Sequence, residues 1–173
     1  MEGCQSTRHR KGISVDFGGE PVNIIKAIVK FAKPLVPLNK RKIFFIVVHH
    51  PAIKTASPEQ IHKWHLQRGW NGIGYNWYIR KDGTICECRG WHIGAQTANM
   101  NSKSVGVCFE GNYDKETSMP EVQLKAGVEL IRKLLAEIPN KMCDVVPHKQ
   151  LGKTACPGRY FPMTRLIQLV KKK

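Results

Sequence analysis

Three side chains able to hold a metal lie at the ends of well-marked segments. His49 closes the apolar run IFFIVV (43–48), His148 follows CDVV (143–146), and Cys156 stands in LGKTACPGRY (151–160). Two imidazoles and a thiolate are donors of the kind zinc selects. Three protein donors leave the fourth tetrahedral position to water, the catalytic rather than the structural arrangement. Strand ends are rigid platforms facing a common edge, where sites in α/β sheets form. From spacing alone both readings stay open, since histidine and cysteine near strand ends are also ordinary core residues. His50 neighbours His49, and adjacent strand residues point to opposite faces, so only one of the two serves as a ligand.

The elements that must position these groups are written in the pattern. IFFIVV is continuously apolar, β-branched and aromatic, as in a strand buried on both faces. Ser57-Pro58-Glu59-Gln60 is a helix start, and that helix should run to about Arg68 with Gly69 as its stop. YNWYIRKDGTICECR (75–89) reads as a hairpin turning at Asp82-Gly83, and SVGVCF (104–109) as another buried strand. From Pro120, apolar residues at 124, 128, 131, 135 and 138 form the stripe of a long amphipathic helix. Cys143 to Val146 is a short strand that delivers His148, and Phe161 to Val170 a closing helix before a solvated lysine tail. The expected class is α/β (mixed α+β), with a central mixed β-sheet of about five to six strands flanked by helices.

A chain of 173 residues with 42% hydrophobic content fits one domain plus an extension. The charge is the strongest bulk signal: 28 Lys+Arg against 13 Asp+Glu, net +15. Such a surface seeks a polyanion. Up to Lys42 there are 9 basic and 3 acidic residues, net +6 in under a quarter of the chain. Within this front end VNIIKAIVKFAK (22–33) places Lys26, Lys30 and Lys33 at i, i+4 and i+7, the pattern of a short cationic amphipathic helix ended by Pro34. The division expected is a basic N-terminal extension over 1–42 and a catalytic domain over 43–173. IFFIVV is too short to span a bilayer, and MEGCQSTRHRKG has no apolar core of a secretory signal, so the protein is expected to start in the cytoplasm. The six cysteines are read as reduced thiols; Cys86 and Cys88, two apart on one strand face, do not pair readily with each other.

Several segments, in order, carry a resemblance: FFIVVHH, IHKWHLQRGWNGIGYNWYIRKDGT, NSKSVGVCFEGN and HKQLGKTACPGR. Over about residues 43–170 the chain resembles the zinc-dependent N-acetylmuramoyl-L-alanine amidases of type 2, the family of phage amidase endolysins and peptidoglycan recognition proteins. The resemblance implies the fold expected above, Zn2+ as cofactor, and His49, His148 and Cys156 as its ligands. It implies hydrolysis of the amide between N-acetylmuramic acid and L-alanine in peptidoglycan. It places Tyr75 in GYNW as the active-site tyrosine and Thr154 as a hydroxyl able to stabilise the developing oxyanion.

Two positions depart from the family pattern. Gln96 in GAQT stands where relatives often carry histidine beside the substrate, so it can hydrogen-bond but not titrate; Cys108 stands where some carry a catalytic glutamate. Glu110, two residues on, is read as structural. Of the tryptophans, Trp64, Trp70 and Trp77 are assigned to the core, and Trp91 is taken as a sugar or peptide contact. His65 is expected to pack and His62 to face solvent. The whole reads as a monomeric, bacteriolytic and antimicrobial endolysin or autolysin, cytoplasmic until lysis and then acting on the wall. Its basic extension would hold anionic envelope polymers or lipids, and no specific nucleic acid partner is expected. The alternatives are a non-catalytic peptidoglycan-binding module and a cytoplasmic muropeptide-recycling amidase.

Overall fold

The computed structural model describes residues 24–172, and the irregular front end read from residues 1–20 lies outside them. Six strands and three helices follow in order: β1 Ile24–Lys26, β2 Phe45–His49, α1 Pro58–Gln67, β3 Trp77–Ile79, β4 Ile85–Glu87, β5 Ser104–Phe109, α2 Glu121–Glu137, β6 Asp144–Pro147 and α3 Met163–Lys171. They form one mixed sheet in the order β1-β4-β3-β5-β2-β6. β3, β5, β2 and β6 run parallel to one another, while β4 is antiparallel to β3 and β1 is parallel to β4. β2 is paired on both sides, by β5 and by the edge strand β6, and apolar layers cover both of its faces, which is why the run from Ile46 to Val48 is fully buried and shows no polar alternation.

Two apolar layers cover the sheet. The larger packs Ile46, Val48, Val105, Val107 and Phe109 against Leu124, Leu130, Ile131 and Leu134 of α2 and Leu166 of α3. The smaller joins Tyr78, Cys86 and Cys108 to Ile61 of α1, Ala56 and Ile73. Local chemistry sets the boundaries. Ser57 Oγ accepts the Gln60 N–H at 3.2 Å and Pro58 occupies the first turn of α1. The hairpin turns where Gly83 takes φ +85, closed by the Arg80 N–H to Thr84 carbonyl bond at 2.9 Å. Five cysteines among the described residues are free thiols. No helix among those residues is long and apolar enough to cross a membrane.

The cationic helix expected over 22–33 is not formed in its described part. Ile24–Lys26 is instead an edge strand parallel to β4, with Ile24 opposite Ile85 and Lys26 opposite Glu87. Ala27, Val29 and Phe31 are half-buried against the smaller layer, alternating with exposed Ile28, Lys30 and Ala32. That period of two belongs to extended chain, and β-branched Ile24, Ile25, Ile28 and Val29 favour it. The available sheet edge decides between the two conformations. His62 is corrected for the same reason: the segment lies over it, and His62 is buried with Nε2 donating to the Lys30 carbonyl at 3.1 Å.

Gly127, in the middle of α2, sits against the ring of Phe109. A Cβ there would lie 2.5 Å from Phe109 Cζ, and Phe109 is fully buried. Gly127→Ala gains about 1 kcal/mol of helix propensity but forces an overpacked contact of about 1–3 kcal/mol. Urea denaturation is expected to show net destabilisation, where an unconstrained helical glycine would show a gain.

Candidate functional site

The parallel register of β2 and β6 pairs Val48 with Pro147, so the residues that follow, His49 and His148, stand side by side at that end of the sheet. Their ring centroids lie 4.5 Å apart. Beyond His148 the chain makes a short 3-10 turn, and the loop returns Cys156 to the same place: its Sγ lies 3.7 Å from His49 Nδ1. One donor atom from each of His49, His148 and Cys156 lies within 4.8 Å of the other two. Around a tetrahedral zinc, Zn–N and Zn–S bonds hold nitrogen and sulfur roughly 3.6 Å apart, so the observed pair already has the spacing of two ligands. Of the adjacent histidines only His49 faces this cluster. His50 turns away, its Nδ1 accepting the Tyr113 N–H at 3.1 Å, while its backbone N–H reaches Cys156 Sγ at 3.4 Å.

The environment keeps all three donors uncharged in the metal-free protein. Burial, reinforced by His148, pushes His49 down to about 3, and burial also lowers His148. Burial pushes the Cys156 thiol up to about 11. The imidazoles are therefore ready to coordinate, whereas the thiol must release its proton when a metal binds.

The donors open onto a continuous groove with a deeper part of about 340 Å³ and a wider part of about 590 Å³. Tyr75 lines the deeper part, its ring 5.4 Å from that of His49. Burial raises the Tyr75 hydroxyl well above its ordinary range, so it is a hydrogen-bond donor and not a base. Thr154 lines both parts; its Oγ accepts the Cys156 N–H at 3.2 Å, and among the described residues its own hydrogen has no acceptor. Gln96 also borders both parts, but its oxygen is engaged by His49 Nε2 at 2.5 Å. Trp91 lines neither part. It packs edge-on against Trp77 at 5.1 Å beneath the Lys40 ammonium. Glu110 is buried and structural, accepting the backbone N–H groups of Ala56 and Lys81.

Sequence reasoning missed four groups here. Trp70, assigned to the core, is exposed and lines both parts of the groove. His65 packs as expected, yet it also lines the deeper part beside Tyr75. Asp114 lines that part too, with Oδ2 3.7 Å from His50 Nε2. Arg89 is 6% exposed and borders the wider part. It donates through Nε to the Ile73 carbonyl and through Nη1 to that of Ile93, but Nη2 has no partner.

Comparison with known proteins places this geometry. The sequence pattern described as N-acetylmuramoyl-L-alanine amidase matches residues 39–159. The chain is 35% identical over 125 residues to peptidoglycan-recognition protein SC2 of Drosophila melanogaster, a match covering 66% of this chain and 67% of that one. It is 32% identical over 119 residues to the endolysin of Klebsiella phage KP32, covering 65% of this chain and 79% of the relative. Among solved structures, the endolysin amidase LysCS from Clostridium intestinale superposes with a TM-score of 0.79 at 32% identity, covering 87% of this chain and 97% of that one.

The buried histidines make the metal-free fold acid-sensitive. His49 is held at about 3 and His65 at about 4, both lowered by burial from 6.5. Between those values and 6.5 the unfolded chain binds more protons than the folded one, so stability rises with pH across this window. Lowering the pH from 6.5 to 4.5 should cost about 2 kcal/mol in all for each histidine. Urea denaturation of metal-free protein across this range checks the slope.

Proposed function

We propose a function that proceeds from one premise: the chain belongs to the N-acetylmuramoyl-L-alanine amidase family, whose pattern covers 121 of its 173 residues, 39 to 159 inclusive. It is a peptidoglycan amidase that cuts the bond between N-acetylmuramic acid and L-alanine, with zinc as its metal. The observation that carries this reading is the convergence of His49, His148 and Cys156 at one end of the sheet, on the floor of the groove. Two nitrogens and a sulfur within 4.8 Å of one another suit zinc better than the hard, oxygen-seeking divalent ions. Zinc held by these three residues would lower the pKa of a bound water to about 7 and would polarise the scissile carbonyl.

The chain's own residues do the rest. The groove aligns the glycan–peptide junction across the three ligands. Tyr75, protonated at neutral pH, donates a hydrogen bond at the reacting centre. Thr154, anchored by the Cys156 N–H, turns its free hydroxyl hydrogen toward the carbonyl oxygen as negative charge develops. The lytic role belongs to this proposal as well. Net charge +15 and the exposed lysines 26, 30 and 33 favour residence on an anionic envelope.

Digestion of purified peptidoglycan tests the reading, with new amino termini and new reducing sugars assayed separately. The expected result is N-terminal alanine without reducing sugars, abolished by a chelator and restored by zinc. Cys156→Ala should lose both zinc and activity. Tyr75→Phe should retain zinc while activity falls about 10²–10³-fold, the loss typical of one preorganised donor. Wall binding without new amino termini would identify a recognition module instead.

A further inference from the structure

We propose that Gln96 is the positioning residue that turns His49 into a metal ligand, by fixing which of its ring nitrogens carries the proton. The inference rests on the metal-binding reading above. A backbone carbonyl sets the direction of the hydrogen bonds that lead to His49. Ser104 is fully buried, and its hydroxyl donates its single hydrogen to the Met100 carbonyl at 2.8 Å. Ser104 Oγ can therefore only accept from Gln96, and the Gln96 atom 2.8 Å away must be the amide nitrogen. The other end of the amide is then the oxygen. It accepts from the Thr97 hydroxyl at 2.5 Å and meets His49 Nε2 at 2.5 Å. An amide oxygen cannot donate, so Nε2 carries the hydrogen of the neutral ring. The lone pair is left on Nδ1, the nitrogen that faces Cys156 Sγ.

Each link is held from outside. Asn101 Oδ1 accepts the backbone N–H groups of Gln96 and Thr97 at 2.9 and 3.0 Å, fixing the start of the loop that supplies both side chains. Gly106 in β5 makes room for the amide: a Cβ there would lie 2.7 Å from Gln96 Cγ. Ligating histidines generally donate their second N–H to a fixed acceptor, and removing that acceptor weakens metal binding about 10–100-fold. Here the acceptor is uncharged, so it orients the ring without placing a carboxylate in the buried site.

Imidazole nitrogen-15 NMR on the metal-free protein tests the first half. His49 is expected to be the Nε2–H tautomer in the wild type; an Nδ1–H or mixed ring would overturn the proposal whether or not the protein binds zinc. Chelator competition tests the second half. Gln96→Leu should weaken zinc binding about 10–100-fold, with the mixed tautomer appearing in the metal-free spectrum. Gln96→Glu, which keeps an oxygen acceptor, should restore affinity to within a few-fold. Unchanged affinity in Gln96→Leu, or equal losses in both variants, would overturn it. Should Gln96→Leu fail to fold, Ser104→Ala takes its place, because it frees the amide to rotate without touching His49. An unperturbed tautomer and affinity in that variant would count against the relay. A wild type that binds no zinc would instead refute the metal reading, and the tautomer measurement would still decide the role of Gln96.

Discussion

The site depends on one constraint, the parallel register of β2 between β5 and β6. Val48 opposite Pro147 places His49 beside His148, and His49 itself lies opposite Cys108. A slip of one residue along β2 would move His49 to the other face of the sheet and drive Val48 toward the groove. What prevents that slip is burial. Ile46, Val47, Val48, Val105 and Val107 have no exposed surface, so any shifted register would strand apolar side chains or leave ladder groups unpaired. The geometry of this candidate metal site is thus set by residues that never touch the groove.

Beyond the strands, loops supply the other groups, and buried polar contacts hold those loops. Asn76 is an example. Its fully buried amide donates to the carbonyls of Gly90 and His92 at 2.8 and 2.7 Å and accepts the Gly106 N–H at 2.8 Å. That one side chain ties the segment before β3 and the loop carrying Arg89 to β5. Tyr75 and Arg89 flank this knot, which keeps the deep and wide parts of the groove in fixed relation. A fully satisfied buried amide rigidifies what it joins, whereas a half-satisfied one would cost more than an apolar substitute.

Much of this was legible in the chain, and the exceptions share a cause. The buried strands, the Ser57 cap, the Asp82-Gly83 turn and the stripe of α2 are local signals, and each appears where the residues place it. For His49, His148 and Cys156 the spacing left a core reading open, and the family resemblance singled them out as candidate ligands; the structure brings the three together. The segment from Ile24 was not, since cationic-apolar spacing and β-branching point to different conformations and only the free edge of β4 decides between them. His62 and Trp91 were misplaced for a related reason. Their surroundings come from residues more than thirty positions away, Lys30 in one case and Lys40 in the other. The orienting contact of Gln96 needs Ser104 and Met100 on a neighbouring loop and strand, and no spacing rule contains that. Arg89 alone left a signal, as a charged residue closing a hairpin of otherwise buried character.

The two faces of the sheet divide the labour. The layer under α2 and α3 is almost wholly aliphatic and aromatic, with Leu124, Leu130, Ile131 and Leu134 packed on the strands, and most of the burial free energy resides there. The opposite layer is smaller and mixes Tyr78, Cys86, Cys88 and Cys108 with a few aliphatic residues, and His49 stands at its rim. Burial of neutral imidazoles and a protonated thiol costs stability that this thin layer could not supply alone. The same strands serve both faces, so the aliphatic layer holds the register while the mixed layer keeps its ligands desolvated. Desolvation is what lowers the imidazoles, and it also raises the thiol that must lose its proton on metal binding. A larger mixed layer would strengthen both effects together, easing coordination by nitrogen while opposing it at sulfur. Hence the thiol donor lies on an exposed loop rather than on a strand, where solvent reaches Cys156 as it does not reach His49.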